Sequence, residues 1–414
     1  RLYDFVNLKT TAGEDVSVIH PGFSHVHAGP DFKQALIKID DVTWAGDVEI
    51  HVHSSDWLKH EHQHDPKYQS IILHVVYNHD TEIGRESGGV FPTLELKNYV
   101  SQKIIDRYRE LSLSENVLPC RNQLEYIDRL NFTSFLSAFA MERLINRQNV
   151  IFEILRQCEN SWEETFYRLL LIGFGFKTNA TAFELLGKSL PFKYLKRHLT
   201  VKLQVYALVF GQAGMLEKSE ENDSYFQILQ SEYQYLRHKY GIFPIQEKSW
   251  NYLRLRPPNF PCIRLAQLCE LLYRIPNLFH LLIHDENITN YNALLSHPPD
   301  EYWQTHFYFG KTTKKKNVTL GKDAADLLLI NTVVPALFAY ATFHGEEKLQ
   351  IRAMSILENI EFESNSVTKI YKEAGFPSEG ALYSQAILEL NKRYCPQKQC
   401  LKCSIGSAIL RREE

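Results

Sequence analysis

Between residues 44 and 53 the chain alternates with a period of two, setting Val48, Ile50 and Val52 on one side and Asp47, Glu49, His51 and His53 on the other. Only an extended strand holds such a pattern, because its successive side chains point to opposite faces. A second extended segment, residues 33–39, precedes it across Asp40-Asp41, a turn signal, so the two read as paired strands. One face of the later strand is apolar and the other carries four ionisable groups. A solvated edge strand is the plain alternative, but such faces usually carry Lys, Thr and Glu. Glu-x-His-x-His points instead to a metal or catalytic site.

Further strands are expected at residues 71–76, interrupted by His74, and 93–96. From about residue 101 the period becomes helical. Residues 101–111 lead to a linker through Pro119-Cys120, and residues 127–158 then place Leu136, Phe139, Leu144 and Ile151 at three-and-four spacing. Helices are also expected at 199–215, 225–240, 263–273, 324–343, 347–360 and 381–394, with Ser161/Glu164 and Thr181/Glu184 as capping boxes. The expected fold is α+β, with an N-terminal mixed sheet domain over residues 1–118 and a mainly α-helical domain over 119–414. A chain of 414 residues exceeds the usual single core, which agrees with two domains.

A formal net charge of −3 argues against wholesale polyanion binding and leaves room for a local basic groove. Seven cysteines form no regular framework, which suits a reducing cytoplasm. No apolar run is read as long enough to cross a bilayer and no signal-like start is visible, so a cytoplasmic protein without a membrane partner is expected. The chain opens at Arg1 without a Met, which leaves room for a short preceding piece. Ten of the seventeen histidines fall within the first eighty residues, an enrichment that suits a metal-binding module.

Strand register decides which groups meet. A three-residue turn at Asp40-Asp41 puts Asp31 opposite His51 and next to Glu49, whereas a two-residue turn moves Asp31 to the other face. Both stay open. In the first register Asp31 and Glu49 are candidate ligands for Mg²⁺ or Mn²⁺, His53 is a further ligand, and His51 orients or activates a water. His60-x-His62-x-His64 shares a face only if extended; with Asp56 before it and Pro66 after it, a polar surface segment is the preferred reading.

Pro30-Asp31 followed by Glu49-x-His51 resembles the PD-(D/E)XK phosphodiesterase core. That resemblance implies a metal held by Asp31 and Glu49, a nucleic-acid substrate, and His51 where the core's Lys stands. It covers about the first hundred residues. Gly46 followed by His51-x-His53 is similar to the first motif of cupins, which implies a histidine-bound metal inside a β-barrel. Nearly the whole chain resembles the bacterial family catalogued as domain of unknown function 2851. The carrying segments are Gly29-Pro30-Asp31-Phe32, residues 44–51, Ser54-Ser55-Asp56-Trp57 with His60 and His62, residues 73–76, residues 256–261 and the Cys-rich terminus. A non-catalytic nucleic-acid-binding or scaffold protein with a degenerate nuclease core is the alternative function.

Cys395-x4-Cys400-x2-Cys403 has spacing suited to a shared metal, zinc or an iron–sulfur cluster. Cys120 is the best-placed fourth ligand and Cys262 the second choice. Lys196, Arg197, Arg256, Lys314 and Lys315 are candidate substrate-binding groups for nucleic acid, set among aromatic residues that could stack on bases.

Overall fold

The computed structural model describes residues 5–25, 27–85, 88–217 and 223–412. The chain divides into two compact units, Arg1–Arg129 with Arg393–Glu414, and Leu130–Lys392. The C-terminal residues therefore belong with the sheet, not with the helical region as expected.

The first unit is built on a seven-stranded mixed sheet. Its strands are β1 (Leu8–Lys9), β2 (Asp15–His20), β3 (Phe23–Ser24), β4 (Phe32–Ile39), β5 (Val42–His53), β6 (Ile71–Asn78) and β7 (Thr93–Glu95). The order is β1-β2-β4-β5-β6-β7, with β3 on β4. Pairing is antiparallel from β1 to β5 and parallel from β5 through β6 to β7. Parallel neighbours rule out the antiparallel barrel that a cupin requires.

Ala35, Ile37 and Ile39 alternate along β4 and pack with Val48, Ile72, Leu73 and Leu94 as one core. A parallel pair needs a crossover. Here the crossover is short, consisting of α1 (Asp56–Lys59) and two 3-10 turns, His62–His64 and Pro66–Tyr68. Trp57 and Tyr68 on it pack with Ile71, Ile83 and Phe91 as a second, smaller core. Val75 packs on the first core while neighbouring His74 meets Trp57, so the two cores lie on opposite faces of the sheet.

The crossover covers the face bearing Glu49 and His51, which reverses one expectation. Glu49 is 6% exposed, whereas Ile50 and Val52, on the face expected to be core, are 44% and 61% exposed. Of the three apolar residues only Val48 is buried.

Register is set by two features that oppose one another. The turn has two residues, pairing Ile39 with Val42 and Ala35 with Gly46, and this alone would send Asp31 to the far face. A bulge between Phe32 and Ala35 then shifts the ladder so that Phe32 faces Val48. Continuing that register brings Asp31 opposite Glu49. Gln34 forms the bulge with φ 59° and donates its backbone N–H to Asp47 Oδ1 at 2.9 Å.

The second unit is helical, from the helix Arg129–Gln157 onward, apart from a small hairpin of His306–Tyr308 with Lys311–Thr312. The helix Pro261–Arg274 is buried along most of its length, Glu270 included. Lys202 Nζ at 2.9 Å and Arg274 Nε at 2.7 Å compensate that carboxylate. Lys322–His344 is a continuous helix with a π turn at Leu329–Val333, and Arg147 donates to Asn331 O at 2.9 Å and Oδ1 at 2.7 Å there. It is long and apolar enough to cross a membrane, contrary to the sequence reading, but 78% of its apolar window is buried inside the protein. Ser161 caps its helix through the Glu164 N–H, whereas Thr181 and Glu184 fall inside Phe176–Ser189, which begins directly after Gly175.

Gln34 occupies a left-handed conformation that Gly adopts without strain. Gln34→Val is expected to be about 1–2 kcal/mol less stable than Gln34→Gly in urea unfolding. Equal stability of the two variants would remove the bulge from the account of register.

Candidate metal centre

Three adjacent strands deliver ionisable groups to one face. Glu49 on β5 lies between Asp31, across the bulged ladder, and His74, its partner in register on β6. Asp31 N–H donates to Glu49 Oε2 at 3.1 Å, and Ile50 N–H donates to Asp31 Oδ2 at 3.0 Å, which fixes both carboxylates. His51, two residues along β5, joins the same face. Its Nδ1 lies 2.9 Å from His74 Nε2 and its Nε2 lies 3.2 Å from His60 Nδ1.

The crossover supplies the rest. Asp80 accepts from Ser54 Oγ at 2.9 Å, Ser55 N–H at 2.8 Å and Ser55 Oγ at 2.7 Å, pinning the start of α1. Those hydrogen bonds hold the Asp80 carboxyl well below the usual range. Glu61 takes a left-handed conformation, φ 58°, and this break in the chain lets the exposed His60 and the half-buried His62 both reach His51. His62 stacks on Tyr68 at 3.8 Å and faces His51 at 5.3 Å. Its Nε2 lies 3.4 Å from Glu49 Oε1, while His51 Nε2 lies 3.6 Å from the same oxygen.

His51, His60 and His62 each offer one nitrogen, and these atoms all lie within 4.8 Å of one another. This is a set of donors around a point, with Glu49 Oε1 beside it. His62 Nε2 is buried without a hydrogen-bond partner among the described residues, as a ligand awaiting a cation would be.

Electrostatics favour the same use. Burial, reinforced by the nearby Asp31 charge, pushes the Glu49 carboxyl up to about 7. Burial and the neighbouring His62 and His60 bring His51 down to about 4, and burial with His51 nearby does the same for His74. His62 is lowered too, by burial and then by His60. His51, His62 and His74 are therefore neutral near pH 7, the form that binds metal. In the tautomer with His51 Nδ1–H donating to His74, His51 Nε2 presents its lone pair to the centre.

Beside His62 opens a cleft of about 600 Å³ lined by Trp57, Tyr68, Gln69, Arg85 and Phe91. Arg85 stacks over Phe91 at 4.8 Å, and its Nε is buried without an acceptor among the described residues. A Cβ on Gly29 would lie 3.8 Å from Lys33 Nζ and 3.9 Å from Lys67 Cδ, so two cationic side chains lie against the loop that leads to Asp31.

Of the sequence candidates, Asp31, Glu49 and His51 come together, but Asp31 braces backbone and is outside the three-nitrogen group. His53 does not join: it is exposed at the strand end, near Asn78. His60 and His62, read as surface, are in the group, and His64 is not. His74 was visible only as a break in an apolar strand. Lys196, Arg197, Arg256, Lys314 and Lys315 are exposed in the helical unit, and Lys196 is paired with Glu163 at 2.7 Å.

Cys120, Cys395, Cys400 and Cys403 all belong to the first unit and are buried, in no disulfide. Cys262 is in the helical unit, against Tyr252.

These features define a mixed-sheet unit with a histidine-rich donor cluster, followed by a helical region. A family described as Protein of unknown function (DUF2851) matches residues 1–366, and the chain belongs to that family. No curated protein and no solved structure matches the chain.

Glu49 sets a pH dependence for the metal-free protein. The unfolded carboxyl ionises near 4.5 and the folded one near 7, so stability is lost as pH rises between them. With a chelator present, Glu49→Gln is expected to exceed the parent in stability by about 2–3 kcal/mol at about pH 8 and by little near pH 4.5 in urea unfolding. A difference independent of pH would contradict this.

Proposed function

We propose that the N-terminal unit is a metal-dependent hydrolase of phosphodiesters, with nucleic acid as the substrate class. The observation that carries the reading is the convergence of His51, His60 and His62 nitrogens beside the buried Glu49 carboxylate. Three imidazoles favour a transition ion such as Zn²⁺ or Mn²⁺ over Mg²⁺, which prefers oxygen. Such an ion supplies an acidified water and a positive charge for the developing phosphate oxyanion.

The chain's own groups have distinct tasks. His51, His60 and His62 would hold the ion. Glu49, whose Oε1 lies 3.4 Å from His62 Nε2 and 3.6 Å from His51 Nε2, would accept a proton from the attacking water. His74 orients His51, and Asp31 fixes Glu49 through its N–H. Arg85, with its open Nε–H, and Lys33 and Lys67 nearby make the surroundings suited to an anionic substrate. Asp31 and Glu49 on neighbouring strands also agree with the resemblance to a PD-(D/E)XK core, with imidazoles in place of its Lys.

Cleavage of single- and double-stranded DNA and RNA with Mn²⁺ or Zn²⁺ tests the reading. The parent is expected to cleave at least one substrate, with Glu49→Ala slower by about a hundredfold or more. Cleavage unaffected by Glu49→Ala, or no cleavage with either ion, would sink the enzyme reading. Arg85→Leu is expected to lower kcat/KM by about 10- to 100-fold, mainly through KM, with metal affinity unchanged. An unchanged KM would place the substrate elsewhere.

A further inference from the structure

Far from the histidine group in sequence, the two ends of the first unit are locked together. The C-terminal helix Ser404–Arg411 begins directly after Cys403, and the 3-10 turn Arg121–Tyr126 begins directly after Cys120. These two elements pack on one another, with the Arg412 guanidinium 3.9 Å above the Tyr126 ring. Arg107 on the helix Gln102–Leu113 donates to Leu410 O at 3.1 Å and Arg412 O at 2.7 Å, so both sides of the C-terminal helix are held.

The cysteine loop is as closely fixed. Lys398 reaches Ser112 O at 2.7 Å, and tight turns close on the loop's own carbonyls, Lys398 N–H to Cys395 O and Cys403 N–H to Cys400 O. Gly406 is required where it stands, because a Cβ there would fall 2.3 Å from Cys400 O. The turns carry Lys398, Gln399 and Lys402, which are not apolar packing residues. Yet they bury three thiols, and Cys120 buries a fourth, each 7–8% exposed. The three C-terminal thiols all lie within electrostatic reach of Cys120.

Four inward thiols on turns and element starts form a ligand set, not a hydrophobic cluster. Four thiolates of this kind suit a single tetrahedral zinc or an iron–sulfur cluster.

We propose that Cys120, Cys395, Cys400 and Cys403 ligate a metal centre, a single zinc or an iron–sulfur cluster, that fastens the C-terminal helix within the sheet-bearing unit. The site is independent of the proposed hydrolase activity. Its four cysteines close a unit whose chain ends come from opposite ends of the sequence, where chain entropy opposes assembly most.

The test is anaerobic purification of the full chain, with iron, zinc and acid-labile sulfide measured beside the visible spectrum. The chain carrying His62→Ala is used, so that metal at the histidine group does not enter the count. Iron and sulfide in comparable amounts, with a broad visible absorption that dithionite bleaches, mark a cluster; zinc without sulfide marks a single ion; one of the two is expected. Cys395→Ser and Cys400→Ser should each lose most of that metal, whereas Cys158→Ser, in the helical unit, should keep it. Should a cysteine variant fail to fold, reconstitution of the His62→Ala chain with zinc, and anaerobically with ferrous iron and sulfide, stands alone. A chain that holds neither metal after both reconstitutions, or whose metal survives the loss of Cys395 and of Cys400, overturns the proposal.

Discussion

A carboxylate taken out of water next to another carboxylate must be compensated, and Glu49 is such a group. It is 6% exposed, accepts the Asp31 N–H, and feels the Asp31 charge beside it. Around it stand imidazoles that are themselves held neutral by burial. The two sets approach one another, His62 Nε2 at 3.4 Å and His51 Nε2 at 3.6 Å from Glu49 Oε1, yet His62 Nε2 has no hydrogen-bond partner among the described residues. A divalent ion between them answers both at once. This arrangement explains why the crossover closes over a polar face and leaves Ile50 and Val52 exposed.

Two irregular backbone positions make the meeting possible. Gln34, by bulging β4, cancels the offset of a two-residue turn and returns Asp31 to the side of Glu49. Glu61, left-handed between His60 and His62, breaks the crossover so that two histidines at alternate positions reach one point. Each is a local conformation that L-residues adopt at a cost, and each sits beside the same site.

Much of the architecture was legible. Alternation locates β5, a continuous apolar run locates β6, and three-and-four spacing locates most of the longer helices of the second unit to within a few residues, whereas Leu278–His284 and Ser366–Glu373 are not expected from it. Glu49 and His51 shared a face by alternation alone. Asp31 did not, since an inserted residue in a strand leaves no mark on a hydrophobic pattern. His60, which is exposed as a surface segment requires, and His62 come to one point only through the reversed backbone at Glu61, which no spacing rule reveals. His53 was credited through the same alternation that places His51, but the crossover stops short of the strand end. The return of residues 393–414 to the first unit is a long-range contact that no local pattern carries; only the cysteines hinted at it.

Crystals soaked in zinc and measured on both sides of the zinc absorption edge test the central claim most directly. An anomalous peak is expected between Glu49 Oε1 and the facing nitrogens of His51, His60 and His62, and it should vanish in His62→Ala. No peak there in the parent, or a peak that survives the loss of His62 unchanged, would contradict the account.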